Sequence, residues 1–136
     1  MNSTDGVLCA LLLGDYSADR RLVRDVFRRS GWELQEARNR GDAINRAREG
    51  GVQVVIAESI GWQDLLNDLR QLPGAPQLIV TSHTADDHLW AAVLNHGGFD
   101  VLPQPFDREE LQRVVAAAGR QASAEPAAYA ANRLQA

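Results

Sequence analysis

The chain has 136 residues, of which 45% are hydrophobic and 24% are charged, and its formal net charge is −4. This composition is ordinary for one globular domain, and the negative charge argues against a general binder of nucleic acids or membrane surfaces, which attract basic proteins. Cys9 is the single cysteine, which excludes a disulfide framework and a cysteine-based zinc site. The N-terminal apolar run at residues 7–13 is too short to span a bilayer and follows no basic segment, so we predict a cytoplasmic protein.

Short apolar runs alternate along the chain with amphipathic stretches, a pattern typical of βα units whose parallel strands form one sheet. The predicted strands span residues 7–13, 33–37, 52–57, 77–81 and, with the weakest pattern, 99–102. The first, third and fourth runs are almost entirely apolar, as in strands buried on both sides, whereas the more polar second run is typical of a sheet edge.

Five helices are predicted between and after these strands. They span residues 18–30, 42–49, 62–71, 85–95 and 108–118. Apolar side chains fill one side of the first helix and arginines fill most of the other. Gly31 is predicted to end this helix, and Thr84 and Asp107 are predicted to cap the N-termini of the last two helices.

The composition shifts to Ala, Ser, Glu and Pro beyond residue 119. We therefore predict a single domain over residues 1–119 and a terminal extension, or the start of a linker, over residues 120–136. The final stretch, AAYAANRLQA, is helix-prone and could lead into an output domain.

Ligands of open α/β sheets bind outside the carboxyl ends of the strands, where the strand order switches. The residues predicted at these ends are Gly14 and Asp15, Glu58 and Ser59, Thr81 and Ser82, and Gln104 and Pro105. They are the candidate site residues. The first strand-to-helix turn lacks a glycine-rich phosphate loop, which makes a nucleotide binder or a small α/β enzyme the weakest alternative.

The segments LLLGDYSADRR, VVIAESIG, LIVTSHT and GGFDVLPQPF follow one another at regular intervals. Together they resemble the receiver domain of bacterial two-component response regulators of the chemotaxis-regulator-like kind, over about residues 6–118. The stretches GDYSADRRLVRDVFRRSG and GGFDVLPQPF are the most specific. The resemblance implies a flavodoxin-like (βα)5 receiver fold, with one five-stranded parallel sheet and helices on both faces.

The resemblance also implies roles for the candidate site residues. In that family two neighbouring acids hold a magnesium ion, an aspartate accepts phosphate, and a Thr or Ser and a Lys bind the phosphoryl oxygens. Gly14 stands where the first acid would be, and Asp15 matches the second. Glu58 falls at the acceptor position, Thr81 matches the hydroxyl residue, and Gln104 occupies the lysine position.

These departures predict a degenerate site. Loss of the carboxylate at Gly14 leaves Asp15 as the remaining magnesium ligand, so we expect weak magnesium binding or none, and no other cofactor. Glu58 carries an extra methylene that displaces its carboxylate by about 1 Å, and a misplacement of this size can cost about a hundredfold in rate. Gln104 has no positive charge with which to stabilise a phosphoryl group.

Two hypotheses for Glu58 stay open. Its longer carboxylate could reach Thr81 and mimic the phosphorylated state, although it offers less charge and fewer oxygens than a phosphoryl group. Alternatively, it is a solvated, inert residue. Pro105 is expected to follow a cis peptide bond, as the resemblance implies. Val101 stands where many family members carry an aromatic switch residue, and valine cannot make the rotation attributed to that residue.

We therefore predict a pseudo-receiver, a non-enzymatic signalling module that acts by protein–protein interaction without conventional aspartyl phosphorylation. The alternative is a working phosphorelay receiver with Glu58 as the acceptor. The expected partners are a histidine kinase, a phosphotransfer protein, an output domain or a second copy, with no nucleic acid bound directly. The candidate partner surface on the first helix comprises Arg20, Arg21, Arg24 and Arg28. Alternatively, these arginines form a solvated helix face that binds no partner.

Overall fold

A computed structural model describes residues 7–123 of the chain. The strands are β1 (Cys9–Leu13), β2 (Glu33–Ala37), β3 (Val54–Glu58), β4 (Gln77–Ser82) and β5 (Asp100–Pro103). The helices are α1 (Arg20–Ser30), α2 (Arg40–Arg48), α3 (Trp62–Arg70), α4 (Asp87–His96) and α5 (Arg108–Ser123). All strand pairs are parallel, in the order β2-β1-β3-β4-β5. The predicted five-stranded parallel sheet is confirmed, with β2 at one edge.

The two faces of the sheet bury separate apolar clusters because side chains alternate along each strand. In β1, Ala10 and Leu12 pack against α1 and α5, whose buried residues include Phe27 and Leu111. The other face of β1, which carries Leu11, belongs to the cluster that contains buried residues of α2, α3 and α4. The central strands are therefore covered on both sides, as their apolar runs predicted.

The predicted N-cap of α4 and the predicted end of α5 are wrong, and the other helix ends lie within two residues of their predicted positions. The N-cap of α4 is Asp86, whose carboxylate accepts a hydrogen bond from the Leu89 amide at 2.9 Å, and not Thr84. Helix α5 continues through Gly119 to Ser123. A Cβ at Gly119 would lie 2.2 Å from Leu8 Cδ1, so this glycine permits close packing of the helix and does not end it.

The remaining predicted caps are confirmed. Gly31 adopts φ +73° after α1, and the Asp107 carboxylate accepts a hydrogen bond from the Glu110 amide at 2.9 Å. The division of the chain at residue 119 stays a prediction, and residues 124–136 of the predicted extension lie outside the described residues. Across residues 7–123, no helix combines the length and apolar character needed to cross a membrane.

Asp25 joins α1 to α5 through a cluster of ion pairs. Its carboxylate contacts Arg108 of α5 at 2.7 Å and Arg29 at 2.9 Å, and it also pairs with Arg28. The hydrogen bond from Arg108, aided by Arg29, lowers the pKa of Asp25 below its ordinary value. This carboxylate therefore stabilises the α1–α5 contact only while it is ionised.

We expect Asp25→Asn to weaken the dependence of stability on pH in acid. The pKa of Asp25 is lower in the folded protein than in the unfolded chain, where it is about 3.9. Its contribution is therefore complete above the unfolded value and is lost as the pH falls through the folded pKa. Urea denaturation midpoints measured from about pH 6 to about pH 2.5 test this. The control is Glu109→Gln, which removes a carboxylate from α5 outside the cluster, and an unchanged acid slope in Asp25→Asn would contradict the expectation.

Candidate functional site

The parallel sheet brings the predicted site residues to one edge. Glu58 ends β3 directly opposite Thr81 of β4, and Gly14 follows β1, which lies on the other side of β3. Gln104 follows β5. The peptide bond between Gln104 and Pro105 is cis, which confirms that expectation.

The Glu58 side chain lies across Gly14. Its Oε1 accepts a hydrogen bond from the Asp15 backbone amide at 3.1 Å. Gly14 adopts φ +142°, and a Cβ placed there would lie 2.7 Å from both Cγ and Oε1 of Glu58. The glutamate therefore occupies the space that an acidic side chain at position 14 would need. The two departures from the family pattern are one structural change.

Among the described residues Glu58 makes no hydrogen bond to Thr81, the contact that one of the two open hypotheses for Glu58 requires. The Thr81 hydroxyl lies 2.7 Å from the Tyr16 hydroxyl, and both side chains are buried. Glu58 turns instead towards β1 and the Asp15 amide. Glu58 is partly exposed, and its carboxylate accepts a hydrogen bond from that amide, so the hypothesis of a solvated residue stays open.

Gln104 is bound to a buried carboxylate that the sequence analysis did not single out. Its Nε2 donates a hydrogen bond to Asp19 Oδ2 at 3.1 Å, and the Phe106 amide donates to Asp19 Oδ1 at 3.3 Å. Asp19 is only 4% exposed and Gln104 only 7%. The amide at the lysine position thus links the β5–α5 loop to the N-terminus of α1.

The residues present do not fit the magnesium site that the resemblance implies. Within residues 7–123 there is no group of three or more Asp, Glu, His or Cys side chains placed to hold a metal ion. The Asp15 carboxylate accepts a hydrogen bond from the Ser17 amide at 3.2 Å, and Glu58 is engaged by the Asp15 amide. Asp15 and Glu58 therefore do not form the set of acidic magnesium ligands that the resemblance implies.

A small cavity of about 220 Å³ opens beside the degenerate site. Its lining includes Gly14, Arg40, Glu58 and Ile60. Arg40 pairs with Asp64 and with another α3 carboxylate, each at 3.5 Å. Ile60 is 95% exposed, so the rim of the cavity presents an apolar side chain to solvent.

The predicted switch residue lies in the sheet. Val101 is 8% exposed and belongs to the cluster of buried residues on the α2–α3–α4 side. Above it, a cavity of about 340 Å³ is lined by residues that include Trp90 and Pro103. Trp90 is half-exposed, and its indole N–H donates to Asp100 Oδ1 at 3.3 Å.

The arginines of α1 are partly neutralised. Arg20 and Arg24 each approach Glu36 of β2 at 2.8 Å, and Arg28 pairs with Asp25. Arg21 is exposed and forms no ion pair within the described part of the chain. The surface therefore keeps an excess of positive charge on a protein whose net charge is negative.

Sequence reasoning missed four residues of this site: Tyr16, Asp19, Arg40 and Ile60. Asp19 stands immediately before α1, where an acid is a common N-cap, yet its side chain makes no capping hydrogen bond. Its place before α1 was the one feature of the sequence that could have identified Asp19 as a residue of the site. Tyr16 and Ile60 lie in separate loops and Arg40 begins α2, and no spacing in the sequence marked these three residues.

We expect Gly14→Ala and Glu58→Ala to be non-additive. The new Cβ forces Glu58 away from the Asp15 amide and strains a backbone at φ +142°, at a cost of about 1–3 kcal/mol for the strain. In the Glu58→Ala background only the strain remains, so the double-mutant cycle should show coupling of about 1 kcal/mol. Urea denaturation measures the cycle, and the Asp15 amide resonance reports the lost hydrogen bond. Simple additivity would show that the two side chains do not compete for space.

No family model matches the chain. A response regulator receiver protein of Anaeromyxobacter sp. (strain Fw109-5) is 32% identical over 88 residues, which are 61% of this chain and 37% of that protein. The probable transcriptional regulatory protein TcrX of Mycobacterium tuberculosis is 30% identical over 118 residues, 82% of this chain and 50% of that protein. The chain thus spans half or less of these curated relatives.

Solved structures show the same fold. A two-component response regulator from Clostridium difficile matches with a TM-score of 0.72 at 20% identity, covering 86% of this chain and 99% of that one. The receiver domain of Ssk1 from Saccharomyces cerevisiae, co-crystallised with the phosphotransfer protein Ypd1, matches with a TM-score of 0.70 at 14% identity, covering 85% of this chain and 90% of the other. The described part of the chain therefore has the receiver fold of these solved structures, and it is similar in sequence to curated response-regulator proteins.

Proposed function

We propose that this receiver domain is a pseudo-receiver, a two-component signalling module in the cytoplasm that transmits its signal through protein–protein contacts, without conventional aspartyl phosphorylation. The position of Glu58 carries the proposal. Its carboxylate lies over Gly14 and is bonded to the Asp15 amide at 3.1 Å. A phosphoryl acceptor must hold its oxygen within a narrow range of geometry, and here the longer side chain is turned towards β1 and the Asp15 amide.

The charges around Glu58 support the same conclusion. Phosphoryl transfer depends on cations that neutralise the charge developing on the phosphoryl oxygens. Gln104 is neutral and is bonded to the buried Asp19 carboxylate, and the acids present do not form a magnesium site. A phosphoryl group at Glu58 would therefore lack the cationic side chain that the resemblance implies at position 104.

Two surfaces offer contacts for partners. The α1 surface carries four arginines, among which Arg21 is exposed without an ion pair in the described residues, so it favours an acidic partner. The Ssk1 receiver domain, which has the same fold, binds a phosphotransfer protein. We propose a phosphotransfer protein or a histidine kinase as the partner of the α1 surface.

The second surface is formed by α4, β5 and α5. It presents the half-exposed Trp90 beside a cavity of about 340 Å³. Half-exposed tryptophans with an apolar depression beside them are frequent anchors of protein interfaces. We propose that this surface binds an output domain or a second copy of the chain.

The proposal predicts that acetyl phosphate and magnesium leave the intact mass of the protein unchanged. Gln104 is neutral and bonded to Asp19, and Arg40 beside the cavity is paired with α3 carboxylates, so the reaction has little electrostatic assistance. Intact-mass spectrometry after incubation provides the measurement. Glu58→Gln is the matched control because it keeps the size of the side chain and removes the nucleophilic carboxylate. A stable gain of one phosphoryl group that disappears in Glu58→Gln would establish the alternative, a working receiver with Glu58 as its acceptor.

A further inference from the structure

The two buried hydroxyl groups of the site are bonded to each other. Tyr16 is 1% exposed and Thr81 is 0% exposed, and their hydroxyl oxygens lie 2.7 Å apart. Buried hydroxyl groups require a hydrogen-bond partner, and a lost partner costs more than an average hydrogen bond contributes. The hydroxyl group of each residue is therefore the hydrogen-bond partner of the other.

Tyr16 is held firmly in place. Its backbone carbonyl accepts hydrogen bonds from the amides of Asp19 and Arg20 at 2.9 and 2.6 Å, and its ring stacks on Phe106 with centroids 5.9 Å apart. Asp19 is in turn bonded to Gln104 and to the Phe106 amide. The tyrosine hydroxyl is thus positioned by the β1–α1 and β5–α5 loops together.

Thr81 leads directly into the loop before α4. The next residue, Ser82, pairs in the sheet with Pro103, and its Oγ accepts a hydrogen bond from the Thr84 amide at 3.0 Å. Helix α4 begins soon afterwards, with Asp86 as its N-cap. A change in the position of Thr81 is therefore transmitted through a short, hydrogen-bonded turn to the helix that carries Trp90.

We propose that the Tyr16–Thr81 hydrogen bond is an internal latch that fixes the β4–α4 loop, and with it the α4 surface, in one conformation without phosphate. This inference rests on the proposed function, because it describes how a site that takes no phosphoryl group still presents a defined partner surface. The resemblance assigns Thr81 to phosphoryl binding, and here the tyrosine hydroxyl occupies it instead. Breaking the latch shifts the population of α4 conformations.

The latch holds over the physiological pH range. Burial raises the pKa of Tyr16 well above its ordinary value, and the nearby carboxylates of Glu58 and Asp19 raise it further. The phenol therefore stays protonated and remains a hydrogen-bond partner for Thr81. A signal carried by pH would not release it.

Tyr16→Phe tests the latch because it removes the hydroxyl and keeps the ring that stacks on Phe106. Hydrogen exchange measured by NMR should show amides of residues 82–86 exchanging about fivefold faster, which corresponds to the net free energy of one hydrogen bond. This acceleration should exceed that of amides in the α5 core, such as Val115, whose exchange reports global unfolding. Equal acceleration throughout the domain would mean a general loss of stability and would overturn the latch.

Thr81→Val is the matched variant on the other side of the bond. It should accelerate the same amides, and the double variant Tyr16→Phe/Thr81→Val should exchange no faster than the quicker single variant, because one interaction is lost in each. The Trp90 indole N–H resonance should shift in both single variants, since α4 moves. Unchanged exchange at residues 82–86 together with an unmoved Trp90 resonance in Tyr16→Phe would refute the proposal.

The outcome is independent of the phosphorylation test. None of these measurements involves a phosphoryl donor, so failure of the latch leaves the proposed function standing. A phosphorylated Glu58, in contrast, would overturn the proposed function without altering the exchange rates of the unmodified protein.

Discussion

The structure of the site depends on one steric constraint between two neighbouring strands. The carboxylate at the end of β3 and the residue after β1 compete for the same space, and here Glu58 fills it. Glycine at position 14 is compatible both with that side chain and with φ +142°. From this follow the hydrogen bond to the Asp15 amide and the turn of the carboxylate towards β1.

The site is also satisfied internally. In a pocket that binds an anion, hydroxyl and cationic side chains have hydrogen-bonding groups that are available to the ligand. Here the polar side chains already have partners within the protein: Thr81 has Tyr16, and Gln104 has Asp19. Because both pairs are buried, an incoming ligand would have to replace hydrogen bonds that already exist. The same bonds tie the loops after β1, β4 and β5 to one another.

Charge is distributed unevenly over the surface. The protein carries a net charge of −4, yet α1 carries an excess of arginines over the acids that pair with them. The carboxyl edge of the sheet carries Asp15, Asp19 and Glu58. The arginine-rich face of α1 and the acidic residues at the carboxyl edge of the sheet are thus separate features of the surface charge.

The sequence by itself determined the α/β fold and which residues gather at the carboxyl edge of the sheet. Apolar periodicity locates buried strands and helices, and parallel strands place their ends together whatever the side chains are. Only the tertiary structure decided which hydrogen-bond partners those side chains have. Glu58 and Thr81 are opposite in register, but rotamer choice, the empty volume over Gly14 and the hydroxyl of Tyr16 direct them to different partners. Such choices depend on contacts between loops far apart in the chain, such as Asp19 with Gln104, which no local pattern encodes.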